Sequence, residues 1–317
     1  MAKLKGQLIA PDADLLPPSN DRIFKVLLTH NDAKHVLMDI ISAVIEHKVT
    51  DVQIRNVELP KPDMEEKGQR FDVNCTIEND DQVEVEMHST PIYESGTERK
   101  NFINKCTYFL TDLHSSQKSR GMDYHKLVRT YQVTFTSHPV FSGHPDFVSR
   151  FTLRDGEGRV FTDQINQIII ELSKLNDLLK KPVEQLTTFE KWLLFFRFAP
   201  DTMQREKIND IIKEREEIGM ASAILQEISK DEKERAILRS QKKYEMDMYS
   251  NRKTAERIGE MRSDKRWQVV VTEKDAVIAD KDAVIADKDA EIASNKAEIA
   301  DNKAKIARLQ AELAKRR

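Results

Sequence analysis

Two stretches of strict alternation place acidic and imidazole side chains where they could share a cation. In Phe71-Asp72-Val73-Asn74-Cys75-Thr76-Ile77-Glu78 the apolar residues carry odd numbers and the polar ones even numbers, and Gln82-Val83-Glu84-Val85-Glu86-Met87-His88 repeats the pattern. Side chains alternate across a strand, so Asp72, Asn74, Thr76 and Glu78 share one face of the first stretch. Glu84, Glu86 and His88 likewise share one face of the second. Asn79-Asp80-Asp81 between them is turn chemistry, which predicts an antiparallel hairpin. A three-residue turn would pair Asn74 with Glu86 and Asp72 with His88. Asp72 and Glu86 would then be diagonal neighbours, roughly 7–8 Å apart at Cα, near enough for two carboxylates to hold one hard cation. Alternation alone leaves two readings open: a metal site, or a solvent-facing acidic side whose charges meet Lys or Arg from elsewhere. Glu84, two residues nearer the turn, is expected to face solvent or to stand behind the ligands.

The elements that must position this hairpin are legible around it. Leu15-Leu16-Pro17-Pro18-Ser19-Asn20 interrupts any earlier helix and offers Ser19 or Asn20 as an N-cap. Ile23, Phe24, Leu27 and Leu28 recur at helical spacing. A second helix is predicted over about 32–47, with Val36, Leu37, Ile40, Ile41 and Val44 buried. The period then changes, and Val52, Ile54 and Val57-Glu58-Leu59 read as extended up to Pro60-Lys61-Pro62. A long helix from Thr97 to about Ser119, a strand at 131–135 and another at about 167–172 complete a mixed α/β pattern.

Composition narrows the classes. The chain has 317 residues, 33% of them charged and 7% aromatic, with a formal net charge of −3. Any nucleic-acid contact must therefore be local. The basic residues Arg99, Lys100, Lys105, Lys118, Arg120, Lys126 and Arg129 outnumber Glu98, Asp112 and Asp123 within one segment. That suits phosphate contacts without base readout, or an ordinary solvated helix face. Cys75 and Cys106 form neither a metal-binding spacing nor a disulfide framework. No stretch approaches the ~18 apolar residues of a membrane span. With residues 1–11 too polar for a signal peptide, a cytoplasmic location is the expectation. Phosphate-loop and nucleophile-elbow motifs are absent, which disfavours ATP and serine hydrolysis.

Several short motifs, in order, resemble the PD-(D/E)xK family transposases, or Rpn-type recombination-promoting nucleases. Asp21-Arg22-Ile23-Phe24-Lys25 is similar to the family's D-x-x-F-K. Phe71-Asp72-Val73 with Val85-Glu86-Met87-His88 is similar to its D…E-x-Q hairpin. Glu98-Arg99-Lys100 with Tyr108 is similar to its R…Y helix, Gln117 through Tyr124 to its Q-x-x-x-G-x-x-Y segment, and Glu171-Leu172-Ser173-Lys174 to its E-L-x-K end. The likeness runs from about 20 to 200. The site departs from the pattern at His88, where the family usually has Gln and the wider superfamily often Lys, and at Phe71, where the superfamily has Pro.

The resemblance implies a restriction-endonuclease-like core, a mixed sheet flanked by helices, and Mg²⁺-dependent hydrolysis of DNA phosphodiesters, with Mn²⁺ as an alternative ion. Asp72 and Glu86, with a backbone carbonyl near residue 87, would hold the ion. His88 would orient or deprotonate the attacking water, a role open to an imidazole near pH 7 without a large pKa shift. Asp21 is a further candidate ligand, or simply a charge at a helix N-terminus. Arg99, Lys100, Lys105, Lys118 and Arg120 are the candidate DNA contacts.

Beyond the core expected over 1–175, residues 176–272 read as a helical extension. Leu186–Phe198 is apolar nearly all round and should pack on the core. From Lys274 the unit Lys-Asp-Ala-Val-Ile-Ala-Asp repeats and degenerates towards Leu309-Gln-Ala-Glu-Leu-Ala-Lys. Residues 273–317 thus form a heptad-repeat tail, coiled-coil-like, with Ile278, Ile285, Ile292, Ile299 and Ile306 on one edge. The adjoining Ala seam buries little, so weak homo-oligomerisation and a solvated single helix are both open. Two other functions stay in view: a catalytically decayed DNA-binding remnant, and a coiled-coil scaffold.

Overall fold

The structure, a computed structural model, describes residues 6–56, 73–78, 80–90, 97–117 and 123–315. It separates into two compact units, Met1–Arg239 and Ser240–Arg317.

In the first unit α1 (Asp21–Leu28) and α2 (Lys34–Ile45) precede β1 (Val52–Asn56), β2 (Val73–Ile77) and β3 (Gln82–His88). Then come α3 (Thr97–Ser115), β4 (Thr130–Thr136), β5 (Val148–Arg154) and β6 (Val160–Glu171), followed by α4 (Thr188–Phe198), α5 (Arg205–Glu214) and α6 (Glu216–Lys230). The final helix, α7 (Glu232–Lys315), has 84 residues. No helix among the described residues is long and apolar enough to cross a membrane.

The strands form one six-stranded mixed sheet in the order β1-β2-β3-β4-β6-β5. β3, β4 and β6 run parallel, while β1, β2 and β5 join antiparallel. A parallel β3–β4 pair requires a crossover, and α3 supplies it. The edge strand β5 is an addition to the sequence reading. Its Ser, Arg and Thr residues are exposed or half-buried and give no apolar run.

The two sheet faces differ in chemistry. Val73, Cys75, Val83, Val85, Met87, Val133, Phe135, Ile168 and Ile170 point into the main core, against apolar residues of α1, α2, α4 and α6. The opposite face carries Thr130, Gln132, Thr134, Gln167 and Glu171, all buried. Over it lies a small separate cluster of Phe102, Cys106, Val140 and Ile169. On the apolar side Phe24, Phe135 and Phe196 form a triangle with centroids 5.1–5.5 Å apart, fastening α1 and α4 to the middle of the sheet. Asn20 caps α1, its Oδ1 accepting from the N–H groups of Arg22 and Ile23. α4 starts with the Thr187/Glu190 capping box. Position and cap together fix where the first residue of α1, Asp21, points.

Candidate active site

The hairpin pairs Val73 with Val85, Asn74 with Glu84, Cys75 with Val83 and Thr76 with Gln82. The expected pairing of Asn74 with Glu86 is therefore displaced by two residues. The turn explains it. Asp80 adopts a left-handed φ of 63°. Its N–H donates to the Ile77 carbonyl at 2.9 Å, and the Ile77 N–H donates to the Asp81 carbonyl at 3.1 Å. Asp81 joins the ladder because its carboxylate accepts the Arg129 backbone N–H at 3.0 Å and Nε at 3.1 Å. A two-residue displacement leaves every side chain on its own face, so the polar set survives with changed partners. Asp72, the first candidate ligand, lies outside the described residues.

The polar face is not a solvated one. Glu84 and Glu86 are only 4% and 6% exposed, because α3 lies across them. Alternation cannot separate these cases, since a polar face under a helix and a polar face in water share one pattern. Of the two places expected for Glu84, the one behind the candidate ligands fits: it is buried and accepts from Gln132 Nε2 at 3.0 Å. Gln117 closes the return from α3 to β4. Its amide donates to Thr130 Oγ1 and the Val128 carbonyl, and its Oε1 accepts the Val128 N–H.

Glu86 carries a cation of its own, and Asp21 is held by the backbone beyond the same strand end. Lys105 of α3 places Nζ 2.7 Å from Glu86 Oε1. Burial raises the Asp21 pKa, opposed first by its hydrogen bonds to Ser89 and least by the charge of Lys105. Asp21 is held from the strand side, its Oδ1 accepting the Ser89 N–H at 2.7 Å. That contact goes beyond a helix N-terminal charge, because it ties α1 to the end of β3.

His88 stands at the same strand end, its ring centroid 5.0 Å from Phe102. Burial, reinforced by the charges of Lys105 and His138, lowers its pKa to about 4. The expectation that it titrates near neutrality is thus corrected. The imidazole is neutral at pH 7 and can accept a hydrogen bond, but does not supply positive charge.

The remaining candidates are dispersed. Arg99 is exposed, with its guanidinium 5.2 Å from the Phe141 ring centroid. Lys100 is exposed on the same helix. Lys105, expected on DNA phosphate, is instead turned onto Glu86. Lys118 and Arg120 lie outside the described residues. Two further residues stand near the site: His138, whose charge acts on His88, and Lys25, the last residue of the Asp21-Arg22-Ile23-Phe24-Lys25 motif, which is only 1% exposed on α1 one turn from Asp21. The spacing Asp21…Lys25, on one helix face, was the available signal for the second. The Glu171…Lys174 motif is structural. Glu171, fully buried, accepts the N–H groups of Val140 and Phe141 at 2.6 and 3.1 Å and the Lys174 ammonium at 2.7 Å. It thereby ties the loop after β4 to the end of β6.

For a hard divalent cation, the chemistry present is the buried carboxylate of Glu86 and the half-buried one of Asp21, with the Lys105 ammonium paired to Glu86. Carboxylate oxygens are donors of the kind that suit Mg²⁺ or Mn²⁺. Among the described residues no group of three His, Cys, Asp or Glu side chains forms a ligand set. The family model described as "PD-(D/E)XK nuclease family transposase" matches residues 18–255, spanning both carboxylates, the hairpin and α3. No curated protein and no solved structure matches.

Proposed function

Because the chain belongs to the PD-(D/E)XK nuclease family transposases, we propose that it is a Mg²⁺-dependent DNA endonuclease acting in recombination or on mobile DNA. The observation that carries this reading is Glu86. It is a carboxylate buried at 6% exposure, at the end of a strand whose other face is core, and it is matched to a cation that also acts on Asp21. A solvent-facing acidic hairpin would also meet Lys or Arg, and it is the burial of Glu86 that speaks against that reading.

In this reading Asp72 and Glu86 hold the ion, with Asp21 as a further ligand and Mn²⁺ as an alternative metal. When bound, the ion supplies Lewis acidity for the scissile phosphate and the attacking water. Glu86 is held in place by the β3 ladder and Asp21 by the Ser89 N–H. Neutral His88 accepts a hydrogen bond from the water and keeps its lone pair directed at the attack position. α3 shields this chemistry from bulk solvent, and its exposed Arg99 and Lys100 meet the DNA backbone, with Lys118 and Arg120 as further candidate contacts. Residues 274–317 provide weak self-association along the isoleucine edge of the heptads.

The test is nicking of supercoiled plasmid by the purified chain with Mg²⁺ and with chelator. Metal-dependent nicking, lost in Asp72→Ala and Glu86→Gln with DNA retention preserved, is the expected result. DNA retention without nicking, indifferent to both substitutions, would instead identify a binding remnant.

A further inference from the structure

A cleft of about 440 Å³ opens on the polar side of the sheet, at the turn end of the β2–β3 hairpin. Asn74 of β2 and Gln82 of β3 lie in its wall, and Leu113 of α3 and Val128 add apolar surface. Two exposed cations, Arg55 and Lys126, reach it from different elements. Arg55 is the extra residue of a bulge in β1, where Ile54 pairs with Cys75 and Asn56 with Asn74; a bulge re-aims the side chain it carries. Lys126 ends the short helical turn Tyr124–Lys126 that follows α3. Against Asp80, which also lines the cleft, these two leave one positive charge in excess.

The amides of the wall are not used by the fold. Asn74 Oδ1 and Gln82 Oε1 are buried with no hydrogen-bond partner among the described residues. Other buried amide oxygens share that condition, but Gln132 and Gln167 engage their NH2 groups inside the sheet, with Glu84 and Thr134, and neither lines the cleft. An amide turned end for end offers a donor or an acceptor as its partner requires. Cations alone would suit any anion, and amides alone any polar edge. Together they match a nucleotide, which has a phosphate and a hydrogen-bonding base.

Register fixes where this nucleotide would sit. Asn74 stands opposite Glu84, so Gln82 and Glu86 are its two diagonal neighbours, each roughly 7–8 Å away at Cα. The cleft therefore begins about two base steps, at ~3.4 Å each along a strand, from a candidate metal ligand. A base stacked inside a duplex cannot enter it; an unpaired or extruded one can.

We propose that the cleft takes one unpaired adenine of the DNA substrate, close to the bond that is cut. Asn74 and Gln82 meet its exocyclic amine and a ring nitrogen, the pairing that amide side chains make with adenine. Leu113 and Val128 flank the ring, and Arg55 and Lys126 hold the adjoining phosphates. This rests on the nuclease reading above and adds to it a preference for a particular substrate: DNA with a locally open strand.

The test is DNA binding by the full chain in chelator, where nothing is cut. Three duplexes are compared: one fully paired, one with a single unpaired adenine and one with a single unpaired thymine. Wild type should bind the adenine duplex about tenfold tighter than the other two. In Asn74→Ala with Gln82→Ala the three affinities should agree within about twofold, whereas Arg55→Ala with Lys126→Ala should weaken all three alike. With 2-aminopurine as the unpaired base, wild type should raise its fluorescence about threefold as the base leaves the stack, a readout that depends on no variant. Wild type that binds the three duplexes equally or not at all, an absent fluorescence rise, or an adenine preference that survives both amide substitutions overturns the proposal, and plasmid nicking still decides the nuclease reading. An adenine preference in a chain that never nicks keeps the cleft and sinks the nuclease reading.

Discussion

Arg22 grips Glu234 with two hydrogen bonds, Nε to Oε2 at 2.5 Å and Nη2 to Oε1 at 2.7 Å, one residue along from Asp21. The first turn of α7 therefore fixes the helix that delivers a candidate ligand. Removing one partner of a buried pair strands the other, at about 3–5 kcal/mol. Glu234→Ala should lose that much stability in urea denaturation. The apolar double replacement Arg22→Met with Glu234→Leu should recover most of it. A Glu234→Ala chain as stable as wild type would show that the pair carries nothing.

His88 gives the protein an acid-sensitive term. Its pKa is lowered to about 4 in the fold, against 6.5 for an unconstrained imidazole. Between those values the unfolded chain binds more protons, so this contribution is complete above 6.5 and is lost as pH falls towards 4. Wild type should lose about 2 kcal/mol from this source between about pH 7 and pH 4.5, and His88→Gln should not. Identical pH dependence in the two chains would refute the assignment.

Asp21 has the opposite sign. Burial raises its pKa above 3.8, so its charge costs stability at neutral pH, and the cost disappears as pH falls below 3.8. Asp21→Asn keeps an acceptor for the Ser89 N–H and removes the charge. It should raise stability by about 1 kcal/mol at neutral pH while weakening Mg²⁺-dependent nicking. A destabilised Asp21→Asn chain would mean that the charge, not the hydrogen bond, holds α1 to β3.

Arg99 and Lys100 can be tested through salt. If each neutralises one phosphate, Arg99→Ala with Lys100→Ala should reduce the slope of log K against log salt by about 1.8. An unaltered slope would remove both from the interface.

The tail is separable by mass. Ile278, Ile285, Ile292, Ile299 and Ile306 are each at least 50% exposed along α7. Sedimentation of the full chain should show self-association, with Kd at about 10 μM or weaker, and a chain ending at 273 should lose it. A strictly monomeric full chain at high concentration would exclude the tail as an association element.

How much of this was legible in the sequence depended on the range of the interactions involved. Alternation gave the two strand faces, since Val73, Cys75, Val83, Val85 and Met87 all reach the core. Helical spacing gave α1 and α2 for the same local reason. Register was misread because it turned on Asp80 taking a left-handed conformation and on Arg129, far along the chain, capturing Asp81. The burial of Glu84 and Glu86 depended on α3 crossing over them. The link between Lys105 and Glu86, and that between Asp21 and Ser89, join residues that no periodicity connects. β5 escaped because an edge strand needs no apolar pattern to pair.

The unequal faces of the sheet also bear on how the molecule opens. α3 is anchored by four buried apolar residues and a layer of hydrogen bonds, whereas α1, α2, α4 and α6 share one extensive core. Water admitted beneath α3 would meet threonines, glutamines and carboxylates, groups it solvates readily, instead of hydrocarbon. Detaching that helix therefore exposes less hydrocarbon than detaching one of the helices packed on the main core. The chemical face of the sheet can then be uncovered and covered again by a local opening that spares the main core.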